Sequence, residues 1–259
     1  MRYPDPSPGD LPQHAAALLE SLRARAPRVH CLTNAVAQNF TANVLLAAGC
    51  VPSMTISREE IAQFVAGADA LLVNLGTFDR ERREATEIAV ENATRDKVPW
   101  VLDPVLIDRT APRAAFARSL VGRAPKVVRL NHAEFTTLAG CKASRDTVVD
   151  FALGHDLVVA LSGATDIVSD GKRTATITNG HPLMAKVTAV GCAGSALIAA
   201  CLAIEIDALR AAAAALLLLD VAGECAAQGA KGPASFAVAI IDALYALDGA
   251  TVVQRARVS

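Results

Sequence analysis

Aromatic residues are scarce: Phe, Trp and Tyr make up 4% of the 259 residues. That is too few for a platform on which nucleic-acid bases would stack. There is no long basic run, and the formal net charge is -1, so a phosphate-backbone footprint is missing and no nucleic-acid partner is expected. None of the 6 Cys, at positions 31, 50, 141, 192, 201 and 225, forms a CxxC pair or a zinc-like spacing with His. Most lie in apolar surroundings and read as small hydrophobes in a reducing compartment. The apolar runs Ala193–Ile204 and Ala211–Leu219 are broken by Glu205, Asp207, Arg210 and Asp220. They are too short to cross a bilayer and read as buried helices. The first ten residues have no hydrophobic signal core and read as a flexible leader. A soluble, cytoplasmic protein with no membrane partner is expected.

What is present is core material. Hydrophobic residues reach 53% against 20% charged, enough for one large domain over residues 1–259, built mainly from Ala, Val and Leu. No internal repeat or low-complexity linker divides it. The periodicity predicts helices over Leu11–Arg25, Val36–Ala48, Arg58–Ala66, Asp79–Arg95, Ala111–Val121, His132–Leu138, Ser144–Leu153, Cys192–Ile204, Asp207–Gln228 and Ser235–Leu247. Ser57 and Glu60 have the spacing of a capping box for the third of these. Short apolar runs at Val29–Leu32, Val51–Met54, Ala70–Asn74, Val98–Leu102, Lys126–Arg129 and Leu157–Leu161 read as buried strands. Thr165–Ser169 and Arg173–Thr178 read as a hairpin turning at Asp170-Gly171. Ala250–Val258 reads as an edge strand. The alternation predicts an α/β fold, a central mostly parallel sheet with helices on both faces.

The chemistry concentrates at 179–201, where a polar loop passes Thr188, Ala189, Val190 and Gly191 and becomes a small-residue apolar helix. A helix start presents unpaired N–H groups and the positive end of its dipole, which suits an anion. Gly191, Cys192 and Ala193 are the expected anion hole. Cys192 is either a packed thiol, like Cys50, Cys201 and Cys225, or a thiol activated by the helix start to accept a proton from an attacking hydroxyl. Ligand sites in such sheets lie beyond the carboxyl ends of the strands. Several strands here end in polar or glycine residues: Thr33-Asn34, Asn74 with Gly76, Asp103, Arg129 with Asn131, and Ser162-Gly163. Asp103 fits either a water-mediated Mg²⁺ contact or a turn cap. Glu134 fits either a helix-dipole partner or a metal–phosphate role. Arg129 fits phosphate recognition or a surface ion pair.

Several segments together resemble the hydroxyethylthiazole kinase family. They are Val29-His-Cys-Leu-Thr-Asn34 with Gln38-Asn-Phe-Thr-Ala-Asn43, then Ala70-Leu-Leu-Val-Asn-Leu-Gly-Thr77, Trp100-Val-Leu-Asp-Pro-Val105 and Arg129-Leu-Asn-His-Ala-Glu134. The series continues with Asn179-Gly-His-Pro-Leu-Met184, Lys186-Val-Thr, Gly191-Cys192 and Lys231-Gly-Pro-Ala-Ser-Phe236. They run in order through most of the chain.

The resemblance implies a ribokinase-like fold and a transferase: a magnesium-dependent, ATP-binding kinase of thiamine biosynthesis and salvage. It would move the ATP γ-phosphate to the hydroxyl of 4-methyl-5-(2-hydroxyethyl)thiazole, as a homotrimer with sites at subunit interfaces. By position, Asn34, Val36, Met54 and Ala189 would bind the thiazole alcohol, Arg129 and Ser162 the nucleotide, and Asp103 and Glu134 the metal; Cys192 would be the catalytic residue. The chain departs from the family where Ala189-Val190 replaces Gly-Thr or Gly-Ala before Gly191-Cys192. It also departs where Leu106-Ile-Asp-Arg-Thr110 replaces a Gly-rich stretch, where Ala164 replaces Glu in Thr-Gly-Glu, and at Leu130 between Arg129 and Asn131. The rival readings are a ribokinase-like kinase of another small alcohol, an ATP-dependent cofactor-repair dehydratase, and a thiazole-binding homologue without turnover.

Overall fold

The structure is a computed structural model that describes residues 10–259. The leader expected over residues 1–10 lies outside these, except for Asp10, which pairs with Arg210 at 3.2 Å. The chain runs α1 (Leu11–Arg25), β1 (Arg28–Leu32), α2 (Gln38–Ala47), β2 (Val51–Ser53), α3 (Ile61–Ala66), β3 (Ala70–Asn74), α4 (Arg80–Asp96) and β4 (Trp100–Asp103). It continues with α5 (Ala111–Val121), β5 (Val127–Asn131), α6 (His132–Ala139), α7 (Arg145–His155), β6 (Val158–Ser162), β7 (Asp166–Ser169) and β8 (Thr174–Ile177). A 3₁₀ turn at Pro182–Lys186 leads into α8 (Val190–Leu202), α9 (Ala208–Ala227), α10 (Pro233–Ala246) and α11 (Gly249–Arg255).

One eight-stranded sheet, ordered β2-β1-β3-β4-β5-β6-β7-β8, runs through the described chain. Strands β1 to β6 pair in parallel, and β7 and β8 add an antiparallel hairpin. β3 and β4 are buried throughout and apolar up to their polar last residues, Asn74 and Asp103, as parallel strands covered by helices must be. Two hydrophobic cores result. One joins the sheet to α1, α2, α8, α9 and α10; the other joins it to α3, α4, α5, α6 and α7. α8 and α9 are apolar almost all round and correspondingly buried. Among the described residues no single helix is long and apolar enough to cross a membrane.

Three local expectations are corrected. The Ser57/Glu60 capping box does not form: Glu60 accepts instead from Thr55 Oγ1 at 3.1 Å, and the helix begins only at Ile61. The hairpin loop is four residues rather than two, because Asp170 Oδ1 accepts from Lys172 and Arg173 N–H and spans the turn. The tail is a helix, α11, capped by Asp248 on Thr251 N–H. Only beyond it does Val258 make a bridge to Ile177.

The strand order reverses between β1 and β3: β2 lies on one side of β1, and β3 to β8 extend from the other. Such a reversal opens a crevice at the carboxyl ends of the two strands. Asn34 follows β1 and Asn74 ends β3, so both stand at that crevice.

Candidate active site

α8 enters the site through Ala189, which is left-handed at φ 74°. Its first turn exposes donors. Val190, Gly191 and Cys192 N–H have no backbone or side-chain partner among the described residues, whereas Ala193 N–H donates to Ala189 O at 2.8 Å. Of the N–H groups expected at 191–193, Gly191 and Cys192 are therefore free, while Ala193 already lies within the helical ladder and Val190 adds a free donor before them.

Arg129 comes from β5 and lies against this helix start. A Cβ built on Gly191 would fall 2.8 Å from Arg129 Nη1. Arg129 makes no ion pair among the described residues, and its Nε is buried without a partner, so the surface ion-pair alternative is not formed. A planar cation and three free N–H groups thus converge on one spot, a combination suited to phosphate.

Beside them is a cavity of about 790 Å³, within the size range of small-molecule sites. Arg129, Ser162 and Gly191 line it, with Leu216 and Leu219 as an apolar wall. Ser162 Oγ makes only a long bond to Leu130 O, at 3.5 Å.

Cys192 is half-buried, and its Sγ accepts from Asn34 Nδ2 at 3.4 Å. Asn34 Nδ2 also donates to Asn74 Oδ1 at 3.0 Å, and Asn74 Nδ2 donates to Asp103 Oδ2 at 2.7 Å. Ser195 Oγ reaches the same Asp103 oxygen at 2.8 Å. Burial pushes the Cys192 thiol up to about 11, reinforced by the charge of Asp103 and opposed by the Asn74 and Asn34 amides and Arg129. Desolvation is the largest of these and outweighs the amide donors and Arg129, against the activated-thiol alternative at the helix start. Burial likewise lifts Asp103 to about 6, against Arg129, Ser195 and Asn74, with Glu134 adding to the rise.

Asp103 Oδ1 is buried and has no partner, an open oxygen suited to a cation or its water. Glu134 is placed differently. Its Oε1 accepts from Leu106 N–H at 3.0 Å and its Oε2 from Asn131 N–H at 2.9 Å, the latter completing a capping box on α6. Glu134 thus serves the first turn of α6, where the helix-dipole alternative put it, and does so as the third residue of a capping box. No group of three His, Cys, Asp or Glu side chains is arranged for a metal among the described residues.

Val36 stands 73% exposed ahead of α2. Met54 is half-buried just after β2, packed in part against the first core. The single chain therefore brings Asn34, Cys192, Asp103 and Arg129 together and leaves Val36 on the surface.

Residue reasoning missed the role of Ser195 and the pair Asp166 and Asp220. Ser195 is three residues beyond Cys192 in an otherwise apolar helix, on the same face, which was a usable signal. Asp220 interrupts an apolar run in α9 and is buried at 8% exposure. It faces Asp166 across the cavity wall, and burial raises both carboxyls, with Arg129 pulling the other way.

Known proteins resemble this chain in sequence and fold. The hydroxyethylthiazole kinase family model matches residues 19–250. A protein of Agrobacterium fabrum named as a probable hydroxyethylthiazole kinase is 44% identical over 252 residues, covering 96% of this chain and 97% of its own. A solved hydroxyethylthiazole kinase from Pyrococcus horikoshii superposes with TM-score 0.91 at 35% identity, over 95% of this chain and 98% of its own. A ribokinase-like superfamily protein from Enterococcus faecalis shares the fold alone, with TM-score 0.68 at 13% identity over 96% of this chain and 92% of its own. With the family model spanning most of its length, and with relatives this similar, the chain belongs to the hydroxyethylthiazole kinase family.

Proposed function

We propose that this protein transfers the ATP γ-phosphate to the hydroxyl of 4-methyl-5-(2-hydroxyethyl)thiazole, in thiamine biosynthesis or salvage. The observation that carries the reading is the junction at α8. There the free N–H groups of residues 190–192 and the Arg129 guanidinium meet the Asn34–Cys192 contact. The nucleotide occupies the cavity beside Arg129 and Ser162, with its phosphates toward α8. The alcohol approaches from the Asn34 side, where Ala189 and Met54 shape its pocket.

Phosphoryl transfer needs in-line positioning and neutralisation of charge more than covalent chemistry. The N–H groups and Arg129 supply fixed positive potential where that charge develops. Mg²⁺, when bound, would further neutralise the phosphoryl oxygens. Asp103 Oδ1 is the open oxygen to hold it, directly or through water, with substrate phosphates completing the shell. Glu134 supports that loop by gripping the backbone at Leu106 and Asn131. Cys192, protonated at neutral pH, orients the alcohol oxygen and does not stand as a preformed thiolate base.

A homotrimer is proposed on the exposure of Val36, Leu46, Val51 and Phe64, which belong to the elements around edge strand β2. A neighbouring subunit would cover them and bring Val36 to the alcohol. The cysteines are all unpaired, which fits a cytoplasmic setting.

The test is mass analysis after incubating the protein with Mg-ATP and the thiazole alcohol. Phosphorylated thiazole with matching ADP is expected. Its absence at high enzyme concentration would refute the reading, and thiazole binding without ADP release would leave a pocket but no kinase. Sedimentation at micromolar concentration tests the trimer, which a monomeric mass would exclude.

A further inference from the structure

The hydrogen bonds around Cys192 close into a ring. From the first turn of α8 it runs from Cys192 Sγ to Asn34 at 3.4 Å, from Asn34 to Asn74 at 3.0 Å and from Asn74 to Asp103 at 2.7 Å. It returns to α8 through Ser195 at 2.8 Å. Asn34, Asn74 and Asp103 stand at the carboxyl ends of β1, β3 and β4, three neighbours in the sheet. The ring therefore ties the helix start to the sheet on both sides of the crevice.

Asn74 is its keystone, and its capacity is well used. Its Oδ1 accepts from Asn34 and from Gly76 N–H, at 3.0 Å each, and its Nδ2 donates to Asp103. Asn34 is fixed by two further constraints besides its bonds in the ring. Its Oδ1 accepts from Ala37 N–H at 3.0 Å, and Nδ2 spends one proton on Asn74 and has the other for the sulfur. A Cβ on Gly76 would fall 2.7 Å from the Asn34 side chain, so the glycine leaves just enough room for that rotamer. Rotating the Asn74 amide would face oxygen with oxygen at Asp103 and nitrogen with nitrogen at Asn34. The network therefore has a single polarity.

We infer that Asn74 is a positioning residue for phosphoryl transfer: it aims the Asn34 amide at the Cys192 sulfur while holding the Asp103 carboxylate in register with α8. It touches neither reactant. It acts through Asn34 and Asp103 and also lends its own amide to the sulfur, so its loss misplaces two groups and removes one donor. Misplacement on the scale of an ångström is enough to cost on the order of 10²-fold in rate. The catalytic part of this inference rests on the proposed kinase activity; the coupling between Asn74 and Cys192 does not.

Two readouts test it. The first is chemical and needs no substrate: the rate of iodoacetamide modification at pH 9, read on the Cys192 peptide by mass spectrometry. Asn74→Ala and Asn34→Ala should each slow it by roughly 3- to 10-fold, the worth of one hydrogen bond to the thiolate. The double variant should be slowed by less than the product of the two single effects, because Asn74 acts partly through the Asn34 amide and partly through its own. Faster modification would mean that Asn74 only packs the region and that its loss lets solvent in, and a fully multiplicative double variant would mean that it acts on Cys192 independently of Asn34. The second is kinetic. Asn74→Ala should lower kcat by on the order of 10²-fold with both KM values within about threefold of the parent. Ser195→Ala, which removes the other donor to Asp103, should leave Cys192 modification unchanged. A wild-type protein that makes no phosphorylated thiazole would sink the kinase reading while the alkylation result still decided the coupling. A kcat unchanged in Asn74→Ala would overturn the positioning role.

Discussion

Ala189 and Leu106 each hold a side chain on backbone that glycine adopts freely, at φ 74° and 61°. Both stand where the sequence departs from a glycine-bearing pattern, so the residue changed while the loop kept its conformation. A left-handed L-residue costs roughly 1–2 kcal/mol, and glycine gives back about 0.4–1 kcal/mol through the freedom of the unfolded chain. Ala189→Gly and Leu106→Gly should each therefore stabilise the protein by about 0.5–1 kcal/mol in denaturant unfolding. A loss of stability in both would mean that their side-chain contacts outweigh the strain. The substituted positions could be read from the residues, but the persistence of a positive φ could not, since Ala and Leu carry no such preference. At Cys192 the effect is on turnover. Cys192→Ala should lower kcat by roughly 10²-fold, the lower end for a proton-handling side chain, because the thiol orients rather than ionises. Cys201 is fully buried in α8, and Cys201→Ala should cost stability while leaving kcat per folded molecule within about threefold. Equal losses of turnover in the two variants would assign Cys192 to packing.

α8 was legible as an element because it combines a polar entry, Gly191 and an apolar helix, and each of those has a local cause. The caps Asp79 and Asn131, which accept from N–H groups of their own first turns, have equally local causes but read in the sequence only as a helix residue and a strand end. The bonds that make α8 a site were not legible. Asn34 meets Asn74 across 40 residues, Asn74 meets Asp103 across 29, and Asn34 meets Cys192 across 158. Pairings at such separations follow from strand order, and no periodicity in the chain encodes them. The same gap explains Glu134, whose grip on Leu106 depends on β4 lying beside β5. The helix start makes its own prediction. In Gly191→Ala the new methyl would meet the Arg129 guanidinium, the free end of a flexible side chain, at 2.8 Å. Arg129 can swing away, so the fold should survive, and the helix should gain up to about 1 kcal/mol from replacing glycine. ADP affinity, measured by calorimetry, should nevertheless fall on the order of 10-fold, the value of a charge-assisted contact. Unchanged affinity would remove Arg129 from the anion site.

Across the whole molecule, two apolar cores clamp one sheet, and the sites of tension are the few carboxyls enclosed with them. Asp220 sits in α9 among residues that are otherwise buried and apolar, close enough to Asp166 that the Asp166 carboxyl disfavours ionisation of Asp220, while the hydrogen bond from Asp220 eases that of Asp166. Burial comes first among the causes, and Arg129 offsets it in part. In the unfolded chain both carboxyls titrate near the ordinary value. The folded protein therefore binds more protons between that value and the raised ones, and its stability falls as the pH rises through this interval. Asp220→Asn keeps the shape of the protonated side chain and removes the charge. It should come closest to the parent near pH 4, at the ordinary carboxyl value where the difference between folded and unfolded proton binding begins. At pH 8 it should be the more stable by roughly 1–3 kcal/mol, the scale of an uncompensated buried charge. Denaturant unfolding of parent and variant at the two pH values reads this directly, and taking the difference between the proteins cancels the opposing titration of buried His30, which burial lowers to about 4. A gap that stays constant with pH would show that Asp220 remains ionised at both, held by Arg129, and that the two carboxyls do not share a proton.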